Sequence, residues 1–120
     1  MSDRTDYLQA VCDSQVSPME VIIKQQQDPD FYYIVDVRVG PQEFKGIKIA
    51  GAVEIPLTEL HQKLDSLPRD KKIAVVTWGV ECTLAKAASL ILLNAGYDVV
   101  EIGGGVAAWK AAQLPVEPVA

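Results

Sequence analysis

The stretch Ile73-Ala74-Val75-Val76-Thr77-Trp78-Gly79-Val80-Glu81-Cys82-Thr83-Leu84 decides how this chain folds. Ile73 to Val76 is an unbroken apolar run. It reads as the most buried, hence central, strand of a sheet. From Leu84 to Ala95, residues Ala85, Ala88, Leu92 and Ala95 fall on one stripe, with Leu84 and Ile91 beside it, which is helical spacing. A strand that stops, turns through a glycine loop and starts a helix builds a small cup. Backbone N–H groups at the helix start point into the cup, and the helix dipole favours negative charge there. Cys82 falls near the predicted first turn. A thiol at that place ionises more readily than a free one, because its thiolate meets unpaired N–H donors. Cys82 is therefore the sharpest chemical feature of the sequence.

Working outward, the flanking segments repeat the alternation. On the N-terminal side, Ser17-Pro18-Met19-Glu20 is a helix start: Ser17 caps, Pro18 suits the first helical position and Glu20 completes a capping box. Asp28-Pro29-Asp30 ends that helix. Phe31 to Val37 is rich in aromatic and β-branched residues and reads as a buried strand. Gly40-Pro41 turns the chain, and Gln42-Glu43-Phe44 is short enough for one helical turn. Gly51 to Pro56 reads as a short strand closed by proline. Residues 58–67 carry Leu60, Leu64 and Leu67 at helical spacing, and Pro68 to Lys72 is a charged turn. On the C-terminal side, Asn94-Ala95-Gly96 stops the helix. Tyr97 to Ile102 is a further strand, and Gly103-Gly104-Gly105 turns into a last short helix holding Trp109, read as core. Leu114-Pro115-Val116 ends the fold. The first 14 residues form an N-terminal extension holding a short helix, with Tyr7, Leu8 and Val11 on one side. Cys12 lies in it and reads as a small buried apolar residue.

Alternating strands and helices predict an α/β domain with a mainly parallel sheet covered on both faces. Binding crevices of such sheets lie outside the C-terminal ends of the strands. Asp36-Val37-Arg38, the Thr77–Thr83 loop and Gly103–Gly105 all follow strand ends, so they are expected on one edge.

Bulk properties narrow the function classes. The 120 residues fit one domain, and 49% apolar content requires a packed core. The net charge of −5 argues against a nucleic-acid partner. The only cysteines, Cys12 and Cys82, and the single His61 lack metal-ligand spacing, so neither metal nor cofactor is expected. His61 reads as a solvated surface residue. The polar start has no apolar signal core, and no run reaches membrane-spanning length. A reducing, cytoplasmic setting with free thiols is the expectation.

The pieces in order resemble a rhodanese-like domain over roughly residues 16–118. They are Val16 to Glu20, Ile34 to Arg38, Glu43-Phe44, Ile49 to Pro56, Gly104 to Trp109 and Leu114 to Val116. The resemblance implies a three-layer fold with a sulfurtransferase activity, or a silent relative that binds or regulates. In active members a cysteine opens the loop after the central strand and carries a persulfide. Loop N–H groups, often with an arginine, hold the sulfur anion. The substrate implied is a small sulfur donor or anion, with a protein thiol among the acceptors.

This chain departs from that pattern. The loop-opening position is Thr77 or Trp78, depending on where the strand ends. No arginine closes the loop, and Glu81 adds a negative charge. Ile47-Lys48-Ile49-Ala50 stands where relatives commonly read Gly-His-Ile-Pro. A subset of the family has a longer loop with a cysteine at its far end, as Cys82 is here, and often a second at the position of Thr77. Cys82 is thus either the persulfide-carrying nucleophile or a small residue filling a helix start. Glu81 opposes the helix field at the thiol. Thr77, Trp78, Gly79, Val80, Glu81, Thr83 and Leu84 make up the candidate loop. Thr77 reads as a strand-end residue hydrogen-bonding in the loop, Trp78 as packing, and Gly79 as a backbone necessity. Asp36 and Arg38 read as an ion pair fixing the loop, with Arg38, Lys48 or Lys86 as sources of positive field. Phosphatase or arsenate-reductase chemistry, found in relatives with longer loops, needs a Cys-x5-Arg loop. Thr83 to Ala88 after Cys82 contains no arginine.

Overall fold

Strand β5 (Lys72–Val76) lies in the middle of a five-stranded sheet ordered β1-β6-β5-β2-β4. Its neighbours are β2 (Tyr32–Asp36) and β6 (Val99–Ile102), and the edges are β4 (Val53–Glu54) and β1 (Gln15–Val16). Every pairing is parallel. The computed structural model describes residues 2–120; Met1, the first residue of the expected extension, lies outside the described residues.

Period-two alternation divides the apolar side chains between two cores. Val35, Ile73, Val75 and Val99 face one layer, formed by α4 (Leu60–Lys63) and α5 (Leu84–Asn94). Ile34, Ala74, Val76, Val100 and Ile102 face the other, where Val21 of α2 (Pro18–Gln27) and Val106 and Trp109 of α6 (Gly105–Ala111) pack. The fold is the expected α/β architecture with helices on both faces of a mainly parallel sheet.

Local chemistry explains the element ends. Ser17 accepts from the Glu20 amide while the Glu20 carboxylate accepts from the Ser17 amide, the expected capping box. Helix α5 ends with the Tyr97 amide donating to Leu92 O and the Gly96 amide to Leu93 O, a Schellman closure. Trp109 is 1% exposed, as expected of a core residue, and its indole N–H donates to Pro115 O at 2.7 Å. His61 is exposed, also as expected, and the single turn expected at Gln42-Glu43-Phe44 is α3 (Gln42–Lys45).

Several expectations need correction. The helical spacing over residues 58–67 resolves into a 3-10 turn at Leu57–Glu59, the short α4 and a second 3-10 turn at Leu64–Ser66. The hydroxyl of the buried Tyr97 donates to Leu64 O within this segment. The strand expected from Tyr97 starts only at Val99. The strand expected over Gly51 to Pro56 shrinks to Val53–Glu54. The tail does not simply end the fold: β7 (Val116–Pro118) pairs antiparallel with β3 (Ile47–Ile49) in a separate ribbon. Helix α1 (Asp3–Ser14) has no buried residue, so Cys12 is exposed rather than packed. Tyr7 and Leu8 are exposed with it. Among the described residues no helix is long and apolar enough to cross a membrane.

Leu92 is fully buried against the first core. Leu92→Ala is expected to cost about 2–5 kcal/mol of stability. Urea denaturation of the two proteins checks this, and a loss under about 1 kcal/mol contradicts the packing described.

Candidate functional site

Strand β5 ends at Val76, so Thr77 is the residue that opens the loop. Thr77 is 1% exposed. Its Oγ1 lies 3.1 Å from Cys82 Sγ, within hydrogen-bonding distance, with either atom as donor. The backbone reaches this closure through one turn, in which the Cys82 amide donates to Gly79 O at 3.2 Å. Cys82 is partly buried and its thiol is free. It does not sit in the first helical turn: Thr83 is the N-cap and Leu84 the first helical residue, so Cys82 precedes the cap. Thr83 makes no side-chain capping bond, which leaves the first amides of α5 without a side-chain acceptor.

Helix α6 holds the loop from one side. The Val106 amide donates to Thr77 O at 2.8 Å and the Ala107 amide to Trp78 O at 3.0 Å. This approach needs Gly105. Its φ is +65°, and a Cβ there would stand 2.5 Å from Thr77 O and 2.7 Å from Gly79 N. Gly79, expected to be the backbone necessity, is not. Its φ lies outside the left-handed region, and a Cβ would first meet the mobile end of Glu81, 3.2 Å away. The constraint assigned to the loop's own glycine belongs to the turn that packs on it. The Gly103–Gly105 run was the sequence signal for it.

Arg38 holds the loop from another side. Its guanidinium stacks on the Trp78 ring, 4.7 Å from carbon to centroid. Its Nε and Nη2 donate to Asp36, the shorter bond being 2.8 Å, and Nη2 also donates to Ile47 O. Both side chains are 1% exposed. Arg38 is thus a clamp between β2, β3 and Trp78, its charge matched by Asp36. The other two cations considered as sources of field are matched as well. Lys86 pairs with Glu101 at 3.1 Å and Lys48 with Glu117 at 3.1 Å. The Lys48 contact holds the Glu117 carboxyl below its usual range.

Asp36, Arg38, the loop and Gly105 therefore meet at one edge, beyond the C-terminal ends of β2, β5 and β6. Val80 forms the tip, 82% exposed, and Glu81 and Thr83 are also exposed. The Glu81 carboxylate folds back over the Gly79 α-carbon. A free thiol at the rim of a loop, with a hydroxyl beside it, is the chemical arrangement the site presents.

Comparison with known proteins matches this geometry to a family. The family model for the rhodanese-like domain matches residues 19–112. The chain belongs to the rhodanese-like domain family. A full-length protein of Lactobacillus plantarum superposes with a TM-score of 0.91 at 31% identity, covering 97% of each chain. The rhodanese-like domain of an Anabaena protein gives a TM-score of 0.73 at 30% identity, covering 88% of this chain and 79% of that one. An HTH-type transcriptional regulator of Mycobacterium tuberculosis is 36% identical over 84 residues, 70% of this chain. This chain spans 37% of that curated relative's length.

Two substitutions probe the supports of the rhodanese-like loop. Gly105→Ala is expected to cost about 2–4 kcal/mol, from the strained φ and the clash with Thr77 and Gly79 together. Arg38→Met leaves the Asp36 carboxylate buried without a partner and is expected to cost about 3–5 kcal/mol. Adding Asp36→Asn to Arg38→Met is expected to recover part of that loss. Denaturant midpoints of the three variants check both statements.

Proposed function

We propose that this rhodanese-like domain is a sulfurtransferase that carries sulfane sulfur on Cys82. The observation behind this reading is the Cys82 Sγ, partly exposed at the loop rim and 3.1 Å from the Thr77 hydroxyl. A hydroxyl beside a sulfur donates to the thiolate and shares its charge with the N–H groups of Glu81, Thr83 and Leu84, the Cys82 N–H being held by Gly79 O. The family nucleophile opens the loop; here that position is an alcohol, and the thiol stands across the loop facing it.

The chemistry balances as two displacements. The Cys82 thiolate attacks the outer sulfur of a donor, a new S–S bond forms, and the donor's own bond to that sulfur breaks. The leaving group takes the electron pair: sulfite from thiosulfate, or a thiolate from an alkyl persulfide. An acceptor thiolate or cyanide then attacks the outer sulfur of the persulfide on Cys82, the S–S bond breaks, and Cys82 leaves as thiolate. No metal or cofactor enters either step.

A second reading has its own observation. The mycobacterial relative is named a transcriptional regulator, so the domain can serve as a binding or regulatory module within a larger assembly of functions. In that reading the loop binds a partner or small anion and Cys82→Ser leaves the cellular role intact.

Intact-mass measurement after incubation with thiosulfate or cysteine persulfide separates the two. The expected result is a gain of one sulfur that cyanide removes and that Cys82→Ser abolishes. A folded protein that gains no sulfur from either donor overturns the sulfurtransferase reading.

A further inference from the structure

The loop carries one negative charge that nothing answers. Glu81 occupies the same four-residue turn that delivers Cys82, and its exposed side chain folds back so that the carboxylate lies over Gly79. Among the described residues no cation lies within ion-pair distance of it. Two cations that the loop touches or that follow it in the chain are engaged: Arg38 is buried against Asp36, and Lys86 reaches Glu101 on β6. What remains to hold an anion is the partial positive charge of the α5 start, equivalent to about half a unit. A dianion approaching Cys82 thus meets a full negative charge with only half a unit of opposite field.

We infer that Glu81 is a specificity-determining residue that disfavours dianionic donors such as thiosulfate and selects a persulfide of low charge, R–S–SH, as the sulfur source. The inference rests on Cys82 being the sulfur carrier. The donor in this step brings no charge as R–S–SH and one as R–S–S⁻, against two for thiosulfate. The Cys82 thiolate attacks the outer sulfur of R–S–SH, the S–S bond of the donor breaks, and R–S⁻ departs with the electron pair. Cys82–S–SH keeps the proton. The one negative charge present at the start is the one present at the end, and it leaves the site with R–S⁻. With thiosulfate the site must instead gather three negative charges, two from the donor and one from the thiolate, next to a fourth on Glu81.

The experiment compares the rate of Cys82 sulfuration from thiosulfate and from cysteine persulfide, in the native protein and in Glu81→Gln and Glu81→Asp. The native protein is expected to load faster from the persulfide. Glu81→Gln is expected to raise the thiosulfate rate relative to the persulfide rate by roughly five- to tenfold, the effect of one screened charge interaction. Glu81→Asp keeps the native ratio. The gap between Glu81→Gln and the native protein narrows as salt is added, because the charge is exposed. A ratio unchanged in Glu81→Gln, with sulfur still loaded on Cys82, overturns the charge selection alone. Loading from neither donor overturns it together with the sulfurtransferase reading.

Discussion

The missing Cβ of Gly105 is the constraint on which the site depends. Helix α6 comes close enough for its first amides to bond Thr77 O and Trp78 O only because no side chain stands between them. Those two bonds fix where the chain leaves β5. The exit fixes the turn from Gly79 to Cys82, and the turn sets the sulfur against Thr77. A backbone contact between two loops of distant sequence therefore places the only thiol of the site. Loop residues are usually the least determined part of an α/β domain. Here the loop is braced on one side by hydrogen bonds and on the other by a buried cation stacked on Trp78.

The two braces are of different chemical kinds. The Gly105 contact is steric and directional, with nothing ionisable in it. The Arg38 clamp is ionic, and its charges are out of water at 1% exposure each. A pair so buried costs desolvation on both partners and is retained where geometry repays it. The repayment is visible: the guanidinium joins β2 to Ile47 of β3 and gives Trp78 a flat surface to lie on. The arginine holds the shape of the loop without lending it net charge.

Most of the frame was legible in the sequence because it rests on periodicity and caps. The apolar run at Ile73–Val76, the stripe of Ala85, Ala88 and Leu92, and the Ser17–Glu20 box each have one structural reading, and each holds. What escaped notice is short or held by long-range contacts. Gln15–Val16 spans two residues and is a strand only because β6 lies beside it. Ile47–Ile49 and Val116–Pro118 pair across the length of the chain, and a proline at one end hides the strand signal. Burial of a single cysteine depends on what packs over it, and α1, which carries Cys12, buries none of its residues. At the site, residue types pointed to the loop, but spacing alone could not say whether Thr77 or Trp78 opens it. The Asp36–Arg38 ion pair was legible there and is present, but spacing gave no sign that the same guanidinium would stack on Trp78 and bond Ile47 O.

The alcohol at the mouth of the loop also bears on oxidation. Where two thiols face each other, the second can displace whatever is attached to the first and close a ring, which protects the sulfur and resets it. Thr77 Oγ1 occupies that facing position, and a neutral hydroxyl does not open an S–S bond. The other cysteine, Cys12, belongs to a helix outside both cores. The loop itself therefore holds no thiol that could displace a group bonded to Cys82, and any such displacement draws on a sulfur from outside the loop.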